Sequence, residues 1–290
     1  MSAWERLNPA LFKHFLAISR AGSLSGAAKT LHCVPSNVSA RLRQLESQLG
    51  VALFRREAQR LILTPAGIRL LPHAEQFEQV CRQAWHSVQA DPWSGELRLG
   101  SMETTAAVRL PDVLAAFHRE APRVSLSLVT GPSQYLIQEV LAGRLDAALI
   151  GGPYSHAQLI GEEIWQEELV VALPAGASLA HLTQSPVTLL GFPNGCHYRE
   201  RLERWSARQS LQIAAQQSYG SIEAILGGIA AGMGIGLLPR SLLQTHPRGR
   251  LVDWQPIEAE LAQAPTLLIR RHDQAPSPLL ERLRERLHGG

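Results

Sequence analysis

The sequence predicts an α/β protein in two parts: a small basic head holding a winged helix-turn-helix with a linker helix, then a larger α/β body. Three observations carry this. Charge divides the 290-residue chain, because residues 1–70 hold ten Lys or Arg against three Asp or Glu while residues 71–290 hold eighteen against twenty-two. The overall +3 is therefore a head of +7 joined to a body of −4, which points to a polyanion-binding head. Apolar residues at helical spacing fill the first ninety positions, and from Gly95 short strand-like runs alternate with helical patterns. With 45% hydrophobic and 18% charged residues the chain can bury two cores, which excludes a disordered tail and a stapled mini-protein.

Asn8 is placed to cap a helix whose first residue is Pro9. Leu11, Phe15 and Ile18, flanked by Phe12 and Leu16, make an apolar stripe that stops at Gly22. Ser23 caps a second helix through Ala27, Ala28 and Leu31, and the paired alanines allow the close crossing that a helix-turn-helix requires. After the His32-Cys33-Val34 turn, Pro35 opens a third helix. In it Val38, Leu42, Leu45 and Leu49 recur at spacings of 4, 3 and 4 before Gly50 ends the run. The opposite face carries Ser36, Asn37, Ser39, Ala40, Arg41, Arg43 and Gln44. Small hydroxyl residues permit close approach while Asn and Arg read base edges, so this face suits the major groove of double-stranded DNA. Ser36, Asn37, Ser39, Arg41 and Arg43 are its candidate contacts, an ordinary solvated helix face being the bland alternative.

Residues 54–56 and 60–64 read as two short strands around a basic turn, a wing that brings Arg55, Arg56 and Arg60 to phosphates. Thr64 and Pro65 then open a long helix in which Leu70, Ala74, Phe77, Cys81, Ala84 and Val88 recur at coiled-coil spacing, with Leu71 and Trp85 widening the seam. Pro72 is expected to kink this helix or disturb its first turn. So long a seam needs a partner, either the same helix of a second subunit or the chain's own body.

The run Ala27-Ala28-x-x-Leu31, then Ser36-Asn37-Val38-Ser39-x-Arg41-Leu42-x-x-Leu45-Glu46-x-x-Leu49-Gly50-Val51-x-Leu53-Phe54-x-Arg56, then Leu63-Thr64-Pro65-Ala66-Gly67, resembles the winged helix-turn-helix of LysR-type transcriptional regulators. The resemblance covers about 60 residues, and the remaining 200 have the length and order of that family's effector domain. It implies a DNA-binding domain over residues 1–65, a dimerising linker helix over 66–93, and a two-lobed periplasmic-binding-protein-like effector domain over 94–290. It also implies a homodimer or homotetramer on a pseudo-palindromic operator, a small-molecule effector, contact with RNA polymerase, and control of neighbouring genes. Pro35 stands where the family often has Gln, so one base-reading amide is missing and the operator preference is expected to differ from that of close relatives.

In the body, residues 97–100, 124–129, 146–150, 169–173, 234–238 and 266–269 read as strands. Residues 104–118, 135–141, 200–209, 221–231 and 279–287 read as helices. The alternation predicts a parallel sheet with a crevice at the carboxyl ends of the strands. Two lobes fit better than one: the first over 94–162 and 266–290, the second over 166–264. Their hinge falls at 164–168 and 261–265, a placement that rests on the resemblance as much as on composition. Turns that leave strands and enter helices bind anions through free N–H groups and hydroxyls. On that ground Ser101, Glu103, Thr104 and Ser133 in the first lobe, and Cys196, His197, Ser218 and Ser221 in the second, are candidate effector contacts, although Ser and Thr are also ordinary helix caps. The resemblance also places ligand contacts at the turns of Ser101 and Cys196. A small anionic metabolite is the expected ligand. Glu103 is the exception in this set, since its charge repels a carboxylate or pairs with a ligand amine.

Three cysteines, Cys33, Cys81 and Cys196, make no disulfide framework and no zinc spacing, which fits a reducing, cytoplasmic setting. His197, Arg199 and Arg201 near Cys196 are expected to lower its pKa, which leaves open a thiol-based redox sensor like those of some relatives that sense peroxide. The absence of a second cysteine nearby in sequence argues against it. No signal-peptide pattern opens the chain, and the longest uncharged stretch, residues 224–239, is too short and glycine-rich to span a membrane. There is no GxSxG, HExxH or Walker loop, and Gly232-x-Gly234-x-Gly236 follows a helix and leads into a strand, the reverse of a dinucleotide fingerprint. No catalytic residue, metal or cofactor is expected. A solute-binding or enzyme-like α/β protein with an incidental basic head is the remaining alternative.

Overall fold

A computed structural model of the chain describes residues 5, 7–57, 60–87 and 93–289. Positions 58–59 of the wing turn and the 88–92 end of the linker, including Val88 of its seam, lie outside the described residues. The chain divides near residue 90 into two compact units.

In the first unit a 3₁₀ turn, Pro9–Leu11, is capped by the Asn8 side chain, which accepts from the Ala10 N–H at 3.0 Å. It leads into α1 (Phe12–Ala21), followed by α2 (Leu24–Thr30) and α3 (Pro35–Leu49). Ser23 Oγ caps α2 by accepting from the Gly26 N–H at 3.1 Å. Gly22 and Gly50 end α1 and α3 at φ values of 64° and 70°, left-handed backbone in which a residue without Cβ is unstrained. A hairpin of β1 (Phe54–Glu57) and β2 (Arg60–Leu63) and the long helix α4 (Pro65–Ser87) complete the unit.

The apolar stripes converge on one core in which Phe15, Ile18, Ala27, Val38 and Leu45 are fully buried and the Phe15 ring lies 5.4 Å from that of Phe54. Polar contacts hold the hairpin to the helices, among them the Leu61 N–H, which donates to the Gly22 carbonyl at 2.9 Å. The Glu46 carboxylate of α3 accepts from the Leu53 N–H at 2.7 Å and the Phe54 N–H at 3.4 Å. Thr64 Oγ1 donates to the Ala52 carbonyl at 2.7 Å and accepts from the Gly67 N–H at 3.1 Å. Helix α4 runs on through Pro72. Its seam divides in two: Leu70, Leu71 and Ala74 pack on the core and Phe77 meets Phe12 edge-on at 5.7 Å, whereas Val80, Cys81, Ala84 and Trp85 are exposed.

The second unit comprises β3 (Ser94–Ser101), α5 (Glu103–Val108), α6 (Leu110–Glu120), β4 (Arg123–Thr130), α7 (Ser133–Leu141), β5 (Ala147–Gly151) and β6 (Leu159–Pro174). It continues with α8 (Leu179–Leu182), β7 (Val187–Gly191), α9 (His197–Arg208), β8 (Ile213–Ser218), α10 (Ile222–Ala230), β9 (Gly236–Pro239) and α11 (Arg240–Thr245). It closes with β10 (Val252–Pro256), α12 (Ala259–Ala262), β11 (Gln263–Arg271) and α13 (Pro278–Gly289).

The sheets are mixed, which corrects the parallel sheet read from the sequence pattern. β3 lies parallel between β4 and β5, and β7 is parallel to β8. β11 instead runs antiparallel to both β5 and β6, and β6 is antiparallel to β9 and β10. The reason is topological: β11 returns from the far lobe and enters the first sheet from the opposite end. β6 serves both lobes, pairing with β11 up to Glu168 and with β9 and β10 from Leu169 onward. The two crossings are thus adjacent strands, with a register slip between Thr266 and Leu267 that leaves Ile164 without a counterpart. The single helix predicted over 104–118 is two helices, because Pro111 has no N–H to continue the ladder and sits in the first turn of α6. Residues 231–235 form the turn from α10 into β9, which starts at Gly236, two residues later than the strand read from the sequence.

The lobes bury separate cores. Leu97, Leu99, Phe117, Leu149, Leu283 and Leu287 form that of the first, with Leu136, Val140 and Ile150 on the other face of its sheet. Val171, Leu173, Leu190, Trp205, Ile225 and Ile229 form that of the second.

Candidate nucleic-acid interface and ligand cleft

With Val38, Leu42 and Leu45 buried, α3 turns its opposite face outward: Ser36, Asn37, Arg41, Arg43 and Gln44 are exposed and Ser39 is half-buried. Arg41 donates to Gln44 Oε1 at 3.1 Å and Arg43 Nε to the Ser39 carbonyl at 3.4 Å, so each guanidinium lies along the helix with further N–H groups outward. Arg55, Arg56 and Arg60 of the hairpin are exposed. Arg55 is paired with Glu57 at 3.0 Å, and Glu57 stands opposite Arg60 in the hairpin register, so one carboxylate offsets part of the wing's charge. The structure thus gathers five candidate residues on one helix face and three on a neighbouring hairpin of the same unit.

In the second unit a cavity of about 210 Å³ opens between the lobes. Its first wall is the turn from β3 into α5, with Met102, Glu103 and Thr104, together with Thr130, Gly131 and Pro132 at the end of β4. Phe192, Pro193, Cys196, Tyr198 and Gly220 form the second. Polar groups join the walls: Glu103 Oε1 accepts from the Ile222 N–H of α10 at 2.9 Å, and the Tyr198 phenol is hydrogen-bonded to Thr104. Burial pushes the Tyr198 phenol well above its usual range, so it stays neutral. Further back, the buried Glu167 of β6 accepts from Arg109 Nε of the first lobe at 2.7 Å and from Ser241 Oγ of the second at 2.8 Å.

Glu103, Thr104 and Cys196 line this cavity, and the other five candidate contacts do not. Ser101 is fully buried and its hydroxyl donates to the Met102 carbonyl at 3.0 Å. Ser133 Oγ accepts from the Gly151 N–H at 3.1 Å. Ser221 caps α10 by accepting from the Ala224 N–H at 3.2 Å, and Ser218 Oγ accepts from Arg199. His197 packs over Gly151 and faces an outer groove with Arg201 and Arg204. Burial lowers its pKa, which favours the neutral imidazole. Sequence pattern did not single out Thr130, Phe192 and Tyr198. Thr130 ends β4 and Phe192 directly follows β7, the carboxyl-end position at which such sheets bind ligands, and that was the available signal.

The expected lowering of the Cys196 pKa is overturned. The thiol is buried at the start of α9, and burial raises its pKa, outweighing hydrogen bonds from the backbone of Arg199 and Tyr198. His197 cannot supply the missing charge, being itself shifted toward neutrality. A buried, protonated thiol is a poor nucleophile toward peroxide. Cys196→Ser is therefore expected to leave any peroxide dependence of DNA binding unchanged, measured by gel shift with and without oxidant. A response present in the parent and lost in the variant would contradict this.

Comparison with known proteins gives the same division. Residues 10–68 match the family described as bacterial regulatory helix-turn-helix protein, lysR family, and residues 90–290 match the LysR substrate binding domain. The chain is similar to the HTH-type transcriptional regulator GltR of Bacillus subtilis (strain 168), at 37% identity over 277 residues, with 94% of each chain covered. Among solved structures it is similar to a full-length OxyR variant from Pseudomonas aeruginosa, with TM-score 0.73, 20% identity, and 97% and 98% of the two chains covered. It is also similar to full-length CbnR complexed with its target DNA, with TM-score 0.69, 25% identity, and 98% and 99% covered.

Proposed function

The chain belongs to the LysR family of DNA-binding transcriptional regulators, and from this premise we propose that its head binds a pseudo-palindromic operator as a dimer while its cleft senses a small effector. The observation that carries the first half is the exposed basic face of α3 beside an arginine-bearing hairpin, on a head of net +7. CbnR, similar in fold along nearly the whole chain, has been solved on its target DNA. Ser36, Asn37, Ser39, Arg41 and Arg43 enter the major groove, and Arg55, Arg56 and Arg60 hold phosphates.

Val80, Cys81, Ala84 and Trp85, exposed along one end of α4, support pairing with the same helix of a second subunit, in a homodimer or a homotetramer of two such pairs. The functional division is a DNA-binding domain over 1–65, the linker over 66–93 and the effector domain over 94–290, whose lobes are 94–162 with 266–290, and 166–264. Glu103, Thr104 and Cys196 touch the effector; Ser101, Ser133, Ser218 and Ser221 hold the turns behind them. A ligand carboxylate would rest on neutral hydroxyls such as Thr104 and Thr130.

The mechanism is a population shift. An effector that binds one spacing of the lobes better than another favours one arrangement of the paired heads, and with it the bend of the operator and contact with RNA polymerase. Among the described residues no helix is long and apolar enough to cross a membrane. The relatives are regulators, and we assign no enzymatic step; the setting is the cytoplasm, where the DNA is. Gel shifts on the DNA flanking the protein's own coding region, across a range of salt, test this reading.

A further inference from the structure

We propose that Glu103 makes the cleft selective for an effector bearing an ammonium group, an amine or an α-amino acid, over a plain carboxylic acid. This rests on the reading of the cleft as the effector site. Among the described residues eleven line the cavity, and Glu103 is the only Asp, Glu, Lys, Arg or His of these. The two remaining titratable groups, Cys196 and Tyr198, are held neutral by burial. The cavity therefore presents one negative charge, neutral hydroxyls and an apolar remainder from Met102, Pro132, Phe192 and Pro193.

A ligand carboxylate placed here meets a like charge with no cation on the walls to offset it, whereas an ammonium gains a charge-assisted hydrogen bond in a partly desolvated space. Glu103 is also positioned to receive it. Oε1 is taken by the Ile222 N–H at 2.9 Å, and among the described residues Oε2 has no hydrogen-bond partner. Because that one bond runs from the β3–α5 turn of the first lobe to α10 of the second, a ligand that shares the carboxylate touches a contact that holds the lobes at this spacing. Recognition and lobe closure thus meet at one side chain.

Four probes with a common five-carbon chain test this on the full-length protein: pentylamine, norvaline, pentanol and valerate, followed by calorimetric titration and thermal shift. Pentylamine or norvaline is expected to bind at least about tenfold more tightly than valerate and pentanol. Glu103→Gln keeps an acceptor for the Ile222 N–H, so the fold is retained, and it is expected to lose that preference and tolerate valerate. Valerate binding as tightly as the amines, or amine affinity unchanged in Glu103→Gln, overturns the proposal. In the first case the cleft still stands as an effector site. Binding of none of the four also overturns it, while effector-dependent binding of the flanking DNA remains a separate measurement.

Discussion

Replacing Arg41 and Arg43 together with alanine is expected to weaken binding to operator DNA by at least about 30-fold, since each arginine contact to a base edge or phosphate is worth about 1–3 kcal/mol. Both side chains are exposed on α3, and among the described residues each makes a single hydrogen bond, to Gln44 or to the Ser39 carbonyl. Removing them therefore costs the fold little. Thermal stability should stay nearly that of the parent, because surface changes of this kind lie within about 0.5 kcal/mol. The salt dependence separates their roles. Removing an arginine that binds a phosphate lowers the slope of log affinity against log salt by about 1 per head. A base-reading arginine instead relaxes sequence preference at one operator position. An unchanged affinity would remove α3 from the interface.

Phe15→Ala is expected to destabilise the head by about 3–5 kcal/mol, the cost of a large cavity in a core with little freedom to collapse. Phe15 is completely buried and joins α1 to the hairpin through Phe54 at 5.4 Å, with Ile18, Val38 and Leu45 in the same core. For a unit of this size the loss corresponds to a fall of at least about 12 °C in its melting temperature. DNA binding should vanish above that temperature, while the second unit, whose cores share no residue with this one, keeps its own transition. A single transition at the parent temperature, by calorimetry, would contradict the packing described here.

What was legible in the sequence was local. The Asn8 and Ser23 caps, the stops at Gly22 and Gly50 and the buried row Val38, Leu42 and Leu45 are decided within a few residues, and each is found where the pattern puts it. Failures came where distant segments decide. The direction of β11 depends on a strand paired with it some hundred positions earlier, so alternation alone misread the sheet as parallel. The cleft joins the turn at Glu103 to Phe192, Tyr198 and Gly220, and only the fold brings these together. Ser221, which caps α10, and Ser133, which accepts from the Gly151 N–H, show why such hydroxyls are ambiguous in sequence: a structural hydrogen bond and a ligand contact use the same oxygen. Cys196 misled for a related reason: sequence displays the charges beside it and hides the burial that outweighs them.

The most direct measurement is the affinity of the full-length protein for the DNA flanking its own coding region, titrated from about 50 to 200 mM salt beside a random sequence of equal length. A basic head that reads paired half-sites predicts specific binding at least about 10³-fold tighter than to random DNA, with log affinity falling linearly in log salt. Binding that ignores salt, or equal affinity for the two DNAs, would contradict it.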